Sequence, residues 1–445
     1  MNATPQRQAP ASGAQSARLS PYAWFVLGVL VLVFGFNFVD RYVFIIMMEP
    51  IKQDLHLSDT QLGLISGLAF SAVYSVSGLV VAHWADHGDR RSIVALALAS
   101  WSALTALCGL TRNFAQLLLA RMAVGVTEAG CSPPAHSLIS DYFPANKRAL
   151  AFSIYSIGLD VGMGMGFALG GWIGEHYGWR VAFIAAGLPG ILFAVFVRLA
   201  VREPMRGASE VVAFDATRYT TREAVVYMLR RPSFVAYMAG SALFIFAGTA
   251  IDSWAPLFLM RVHHEASGSV GLWTGVLGST AGLCGSVTAG WIADRLAVRD
   301  QRWNLGVAIS GIALVAPATL LFLFGSVHTV LLFYFVGTFF NSFYMPPTIA
   351  ITHKLLPVHM RALASAVMLF GYNLIGIAGC NFAIGYLSDR WAGSLQVDSV
   401  RYAMAATQLT AVAGIILTIY AIIRMPRDFG EQFGTRAVSG AKNGN

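Results

Sequence analysis

PANKRALA at residues 144–151 and PVHMRALA at residues 357–364 are one phrase written twice. Pro, Arg, Ala, Leu and Ala recur at identical spacing, 213 positions apart. At the same offset Pro133-Pro134 meets Pro346-Pro347, and Gly158 meets Gly371. Asp86 is answered by Asp294-Arg295 at nearly that offset, 208. One octapeptide could match by chance. Several matches at one offset, each at the same place in its half, make the chain an internal duplication. Both halves begin in the same direction, so the repeat is parallel, as in transporters built from two bundles around a central site.

The repeated segments lie among long apolar runs. Of the 445 residues, 56% are hydrophobic and only 12% charged; soluble domains carry about twice that charge. So little charge cannot cover a water-soluble surface. A membrane-crossing helix needs about 20 mostly apolar residues. Candidate spans are 22–48, 60–83, 92–111, 114–137, 149–173 and 181–199, then 233–260, 268–293, 304–326, 329–352, 362–387 and 402–424. The expected fold is an all-α membrane protein of twelve transmembrane helices in two six-helix bundles. The expected divisions are a disordered tail (1–20), a first bundle (21–200), a linker (201–232), a second bundle (233–425) and a C-terminal tail (426–445). The apolar stretch after Pro21 is far longer than a signal-peptide core of 7–15 residues, so it is read as the first helix.

The basic residues orient the helices. With an even number of spans both termini share a side, and 22 of the 30 Lys and Arg fall on that side against six on the other. The positive-inside rule puts both termini in the cytosol. The net charge of +8 is scattered through short loops, which gives no contiguous nucleic-acid patch. In the linker, RYTTREAVVYMLRR at 218–231 sets Ala224, Val225, Met228 and Leu229 at helical spacing among arginines. It reads as an interfacial helix on the inner leaflet, with a solvated linker as the alternative.

Cys108, Cys131, Cys284 and Cys380 all fall in apolar runs and none makes a CxxC, so they read as small buried residues rather than a disulfide or zinc framework. Gly158, Gly162, Gly166, Gly170 and Gly174 recur every fourth residue and give one helix face without side chains, suited to close packing and compatible with a hinge. Gly162, Gly164 and Gly166 lack the spacing of a dinucleotide loop. There is no HExxH, GxSxG or P-loop Lys, and His136 near Cys131 reads as packing or proton-sensing. No enzyme, cofactor or metal site is expected.

Six ionisable residues stand inside the spans: Asp40, Arg41, Arg121, Glu128, Asp160 and Asp252. Each costs ~2.5–3.5 kcal/mol or more at mid-bilayer by insertion scales, so it is expected to face a cavity or a partner. At ~1.5 Å per residue, Asp40 lies ~12 Å below the outer face, Arg121 ~10 Å and Glu128 ~21 Å. Burial pushes a carboxyl towards its protonated form and a nearby Arg towards its ionised form, so a group whose surroundings alternate can load and release a proton. Asp40 or Glu128 could carry that proton, while Arg41 or Arg121 holds an anionic group of the solute. The alternative is a permanent ion-pair lattice that fixes helix packing. Asp160 and Asp252 are lone acids, either polar packing or gate residues.

AHWADHGDRR at 82–91 resembles the signature between helices two and three of the major facilitator superfamily, with Asp86, Arg90 and Arg91 in place but His87 and Asp89 departing from the commonest form. RMAVGVTEAG at 121–130 is similar to that family's R-x-x-x-G-x-x-E-A pattern, and Asp141, Pro144 and Arg148 fit its inner end. NFVDRY at 37–42, GVTEA at 125–129, WAPLFL at 254–259, GYLSD at 385–389 and REPMRG at 202–207 together resemble the spinster family of sphingolipid and lysophospholipid transporters. The resemblance implies a multi-pass protein of the cell membrane (the inner membrane in a Gram-negative cell), acting as a monomer among membrane lipids. It implies a substrate of the sphingosine 1-phosphate or lysophospholipid type, moved by alternating access with protons. Asn37, Arg41, Tyr42 and Arg121 would bind substrate, Asp40 and Glu128 would couple protons, and Asp86, Arg90, Arg91, Asp141 and Arg148 would form an inner gate. Phe333, Phe335, Phe339, Phe340, Phe343 and Met345 would suit an acyl tail, or else are core packing. The rivals are a proton-coupled organic-anion or drug transporter and a non-transporting lipid sensor.

Overall fold

The structure is a computed structural model that describes residues 20–205, 221–300, 302–326, 328–356 and 361–428. In chain order the helices are α1 (Pro21–Ile46), α2 (Met48–Leu55), α3 (Asp59–Gly63), α4 (Phe70–His87), α5 (Arg90–Cys108), α6 (Phe114–Glu128), α7 (Ser132–Tyr142), α8 (Ala145–Tyr177), α9 (Trp179–Ala200), α10 (Thr221–Leu229), α11 (Pro232–Val262), α12 (Ser267–Ala297), α13 (Trp303–Phe324), α14 (Val330–Asn341), α15 (Met345–Leu355), α16 (Arg361–Gly371), α17 (Gly379–Leu395), α18 (Ser399–Thr407) and α19 (Leu409–Asp428). No strand occurs among the described residues, and nine stretches of them are long and apolar enough to cross a membrane. Large exposed side chains such as Leu192, Val287, Trp291 and Ile423 form apolar surface that lipid, not water, would cover.

Local chemistry sets the helix ends. Pro21 starts α1, Asp89 caps α5 through Ser92 N at 3.2 Å, and Ser58 and Gln61 form a reciprocal capping box on α3. Gly178, at φ 84°, turns α8 into α9. Two predicted single spans are each interrupted. The chain breaks at 129–131 between α6 and α7, and again at 342–344 between α14 and α15. The paired prolines of the repeat open the second helix each time, because a proline lacks the N–H that would continue the first. Within the segments predicted at 60–83 and 362–387, Leu64–Ala69 and Tyr372–Ala378 are π-helical.

The glycine ladder of α8 packs on α1. A Cβ at Gly158, Gly162 or Gly166 would stand 2.5, 2.4 and 2.7 Å from the carbonyl oxygens of Val31, Gly35 and Val39. A second smooth face of α8 meets α12 of the other half, where a Cβ at Gly171 would lie 2.3 Å from Ser267 O. Cys108, Cys131 and Cys380 are buried, but Cys284 is exposed, contrary to expectation. An apolar run does not tell which face of a helix meets protein and which meets lipid. The linker helix appears as α10, with Met228 buried against Phe234 and Tyr237 of α11; residues 218–220 lie outside the described set.

The halves meet at one end. Arg261 of α11 donates to Glu49 at 2.6 Å and Asp59 at 2.7 Å. Asp389 of α17 accepts from Asp59 N at 2.9 Å and Thr60 N at 2.7 Å, and Ser388 Oγ donates to Asp59 at 2.6 Å. Gly268 N donates to Glu175 at 2.8 Å. Between described residues, the hydrogen bonds and ion pairs that join the halves lie at this sealed end, and at the far end Arg90, Tyr142 and Ser233 bond to residues of their own half or its flanking strap.

Candidate functional site

Four of the six intramembrane ions converge where α1 meets α6. Arg41 Nε donates to Glu128 Oε2 at 2.8 Å, with Nη2 2.7 Å from the same oxygen. The break after α6 leaves Glu128 at that helix's last position, fully buried at 0% exposure. Thr105 Oγ1 donates to Asp40 Oδ2 at 2.7 Å, and Arg121 acts electrostatically on Asp40. Aromatic faces surround both guanidiniums. Arg41 lies 5.1, 4.8 and 5.0 Å from the rings of Phe38, Phe70 and Tyr74, and Arg121 lies 4.7 and 5.1 Å from those of Phe44 and Phe70. Phe70 thus separates two like charges.

The hydrogen-bond capacity of this cluster is not used up. Arg121 is 2% exposed, yet its Nε and Nη1 have no partner among the described residues. Nor do Asp40 Oδ1, Glu128 Oε1 and Asn37 Nδ2. A buried guanidinium N–H without an acceptor costs ~1–3 kcal/mol, so the arrangement favours an acceptor from outside the chain.

A cavity of about 140 Å³ lies beside the cluster, between the halves. Phe38, Arg41, Tyr42, Phe44, Phe70 and Arg121 wall it from the first half, and Thr249, Asp252, Ser253, Asn373, Ile377 and Asn381 from the second. The two arginines border the space, and Asp40, Glu128 and Asn37 stand behind them. The cavity is therefore aromatic, with cationic groups on one wall.

Asp252 is the acid of the opposite wall, its Oδ2 accepting from Asn341 Nδ2 at 2.6 Å. Asp160 lies apart, on α8 at the seam with α12, where a Cβ at Gly282 would come within 2.8 Å of its Oδ1. The phenylalanines at the end of α14 and in the break after it sit elsewhere. Phe339, Phe340 and Phe343 pack on one another and with Ala289 and Val307, and none borders the central cavity. The apolar lining a tail would meet is Phe38, Phe44, Ile45, Phe70 and Ile377.

At the far end Arg90 is the hub. It is 1% exposed; its Nε donates to Glu203 at 2.6 Å, Nη1 to Ser137 Oγ at 2.8 Å and to Asp141, and Nη2 to Pro204 O at 3.1 Å. Arg91 contributes its backbone N to Glu203 at 3.0 Å and a pair with Asp89 at 3.0 Å. Arg148 Nε donates to Ser140 O and Phe143 O, both at 3.1 Å. These bonds clamp α5, α7 and the strap 201–205 within the first half. The side chain of Asp86 lies outside the described residues.

Sequence reasoning missed Tyr74, Asn341, Glu203 and the seal residues Glu49, Asp59 and Arg261. Glu203 stands inside REPMRG and Asp389 inside GYLSD, motifs that by themselves give neither residue a role. The others carried no motif.

The sequence profile of the Major Facilitator Superfamily matches residues 30–380. The chain belongs to that superfamily. Its members are transporters, not enzymes, so this facilitator is a multi-pass membrane protein that moves a small molecule. It is 34% identical over 417 residues to an MFS-type efflux pump of Mycolicibacterium smegmatis, covering 92% of this chain and 95% of the pump. It is 28% identical to human protein spinster homolog 1 over 82% of this chain and 73% of that protein. A crystal structure of a bacterial homologue of the human lysosomal transporter spinster, inward-facing and unoccupied, superimposes with a TM-score of 0.80 at 27% identity, covering 94% of this facilitator and 99% of that chain. The facilitator is thus related to the spinster family. Its fold is also that of a D-xylose-proton symporter, with a TM-score of 0.69 at 15% identity.

Proposed function

We propose that this facilitator is a secondary active transporter of an amphipathic solute with an anionic or zwitterionic head and one acyl-like tail, of the lysophospholipid or sphingosine 1-phosphate type. It has twelve transmembrane helices in two bundles, 21–200 and 233–425, with both termini cytosolic. The sealed end faces outward and the far end faces the cytosol of the cell that carries it in its plasma or inner membrane. Rocking of one bundle against the other alternates access to the cavity.

The observation that carries this reading is Arg121: a buried cation with two donor nitrogens unmet, at the wall of an aromatic cavity. Such a group matches a phosphate or carboxylate head, and the rings beside it match a hydrocarbon tail. Arg41 and Tyr42 complete the head site at the cavity wall, with Asn37 behind them. The lipid identity leans on the kinship with spinster proteins.

Protons drive the cycle through Asp40 and Glu128. Both are buried acids with one oxygen unbonded, each facing an arginine that a bound anion would also engage. An anion arriving at Arg121 or Arg41 weakens that arginine's hold on its acid and favours protonation. Asp160 remains a gate candidate at the α8–α12 seam, and the Arg90 cluster with Asp86 braces the inner gate.

A second reading, export of organic anions or drugs, draws support from the efflux pump that is 34% identical. One experiment separates them. Labelled lysolipid and a short aryl carboxylate are each offered to proteoliposomes with and without a pH gradient, for wild type, Asp40→Asn and Glu128→Gln. Lysolipid flux that rises with the gradient in wild type, and loses that response in one variant or both, is expected. Flux of the carboxylate alone favours the second reading, and lipid binding without flux of either solute makes the chain a sensor. An unchanged gradient response in both variants removes the proton role.

A further inference from the structure

The two walls of the cavity carry ionisable groups of opposite type, and each wall belongs to a different half. Among the described residues, Arg41 and Arg121 line the first and no acid of that half borders the space, while Asp252 is the one carboxylate on the second wall. Arg41 is matched by Glu128, and Arg121 is opposed by Asp40. Asp252 has no cation against it among the described residues; its one hydrogen-bond partner there is Asn341.

The two halves differ at this point, although at the repeat's own offset Asp252 answers Val39 rather than Arg41. Asn341 follows Glu128 by 213 residues, the offset of the repeat, and Asp252 follows Arg41 by nearly as many, 211. Both pairs join the first helix of a half to the last residue before a broken helix. The first half has an arginine held by a carboxylate. In the second half a carboxylate on the first helix is held by a neutral amide. Asn341 is wedged against α11, since a Cβ at Gly248 would lie 1.8 Å from its Oδ1, so it fixes Asp252 in place without neutralising it. A scaffold acid in this interior would be expected to have a cation beside it. An acid bound by an amide alone and facing a cavity is suited to receive a cation from outside.

We infer that Asp252 binds the cationic group of a zwitterionic solute whose anionic group sits at Arg121, so that one bound molecule bridges the two halves. This rests on the proposed function and narrows it: a phosphoammonium head is preferred over a purely anionic one. A quaternary or primary ammonium group supplies the missing countercharge, and Thr249 and Ser253, on the same helix, line the space beside it. Bridging also links occupancy to closure, because a solute held by one wall only would not pull the halves together.

The test measures binding of lysophosphatidylcholine and chain-matched lysophosphatidic acid to the full-length purified protein, for wild type, Asp252→Asn, Asp252→Glu and Arg121→Gln. Wild type is expected to bind the zwitterion at least tenfold more tightly than the anion. Asp252→Asn should weaken the zwitterion tenfold or more and leave the anion within threefold, Asp252→Glu should restore part of the preference, and Arg121→Gln should weaken both. Melting temperature reports whether each variant is folded, and Asp252→Glu carries the comparison if Asp252→Asn is not. Equal affinity of wild type for both lipids, or equal weakening of both by Asp252→Asn, overturns the role of Asp252 and leaves the lipid reading standing. If wild type binds neither lipid, the lipid reading falls, and this inference with it.

Discussion

Arg261 on α11 grips Asp59 on α3 through two nitrogens, at 2.7 and 2.9 Å, across the boundary between the halves. Asp59 is nearly enclosed, with Lys52 2.5 Å away on its other side, and Arg261 also holds Glu49. Removing one member of such a buried set costs ~3–5 kcal/mol, and most of that falls on the state in which the seal is made. Arg261→Met is therefore expected to move the balance towards opening at this end by ~100-fold or more. Spin labels at the exposed positions His56 and His264, in a background without other cysteines, should report a new population at longer distance. A distance distribution identical to wild type would mean that this cluster does not hold the seal.

The glycine ladder makes a contrast of sign. Gly162→Ala puts a methyl group 2.4 Å from the backbone oxygen of Gly35, which has no side chain to rotate away. Helix α1 must shift, at a cost of about 1–3 kcal/mol or more. Gly28→Ala on α1 meets nothing within 4 Å, and there the gain in helix propensity is worth roughly 0.5–1 kcal/mol. Melting temperatures in detergent should fall for the first and hold or rise for the second. Equal changes in both would count against close α1–α8 packing.

Arg90, not Arg91, is expected to govern the integrity of the first half. Arg90 donates to Ser137, Asp141, Glu203 and Pro204 from an enclosed position, whereas the Arg91 side chain is 22% exposed. Arg90→Gln should cost about 3 kcal/mol or more by taking the buried cation away from Asp141 and Glu203, and Arg91→Gln about 1 kcal/mol or less. Protease resistance of the first half under mild heating would rank them. The reverse order would move the hub to Arg91.

Asp89 offers a pH test outside the spans. Burial opposes its ionisation, but hydrogen bonds from Ser92 and Arg91 outweigh burial and hold its carboxyl well below the usual carboxylate range. A group depressed in this way stabilises the fold above its unfolded value of about 3.9, and loses that contribution only as pH falls through the lower folded value. Between pH 5.5 and 8 the contribution is constant. Asp89→Ala should therefore lower stability by ~1 kcal/mol equally at both ends of that range, and Asp89→Asn, which still caps, by less. A loss confined to one pH would contradict the assignment.

Much of this architecture is legible in the chain because membrane physics writes it in plain composition. Long apolar runs must be helices, since no water is present to satisfy other backbone. Ions inside those runs must have a reason, and Asp40, Arg41, Arg121 and Glu128 do assemble in one place. The pairing itself was not legible. Depth estimates set Glu128 well below Arg41, yet the two side chains meet at 2.7 Å. Asn341 and Tyr74 were invisible because an amide or a phenol in a span has none of the cost that marks a charge. The seal was invisible for the opposite reason: Glu49, Asp59 and Arg261 lie at helix ends, where charges are ordinary. The aromatic stripe at 333–343 left tail site and core packing both open, since periodicity shows that a face is apolar but not whether protein or cavity meets it.

Arg41 and Arg121 should respond oppositely to the same change. Arg41→Gln leaves Glu128, at 0% exposure, with no cation to answer it, and should cost ~3 kcal/mol or more of stability. Arg121→Gln removes a buried cation whose Nε and Nη1 are unbonded, and Asp40 keeps its bond from Thr105, so stability should stay within about 1 kcal/mol. Binding should show the opposite ranking. Loss of charge-assisted hydrogen bonds of ~1.5–3 kcal/mol at Arg121 corresponds to a drop of roughly 10–150-fold in affinity for an anionic head. Two measurements on each variant decide the matter: melting temperature without solute, and the rise in melting temperature that lysophosphatidic acid produces. If Arg121→Gln is the unstable variant and keeps the full lipid-induced rise, then its guanidinium is a packing group and the anion site lies elsewhere.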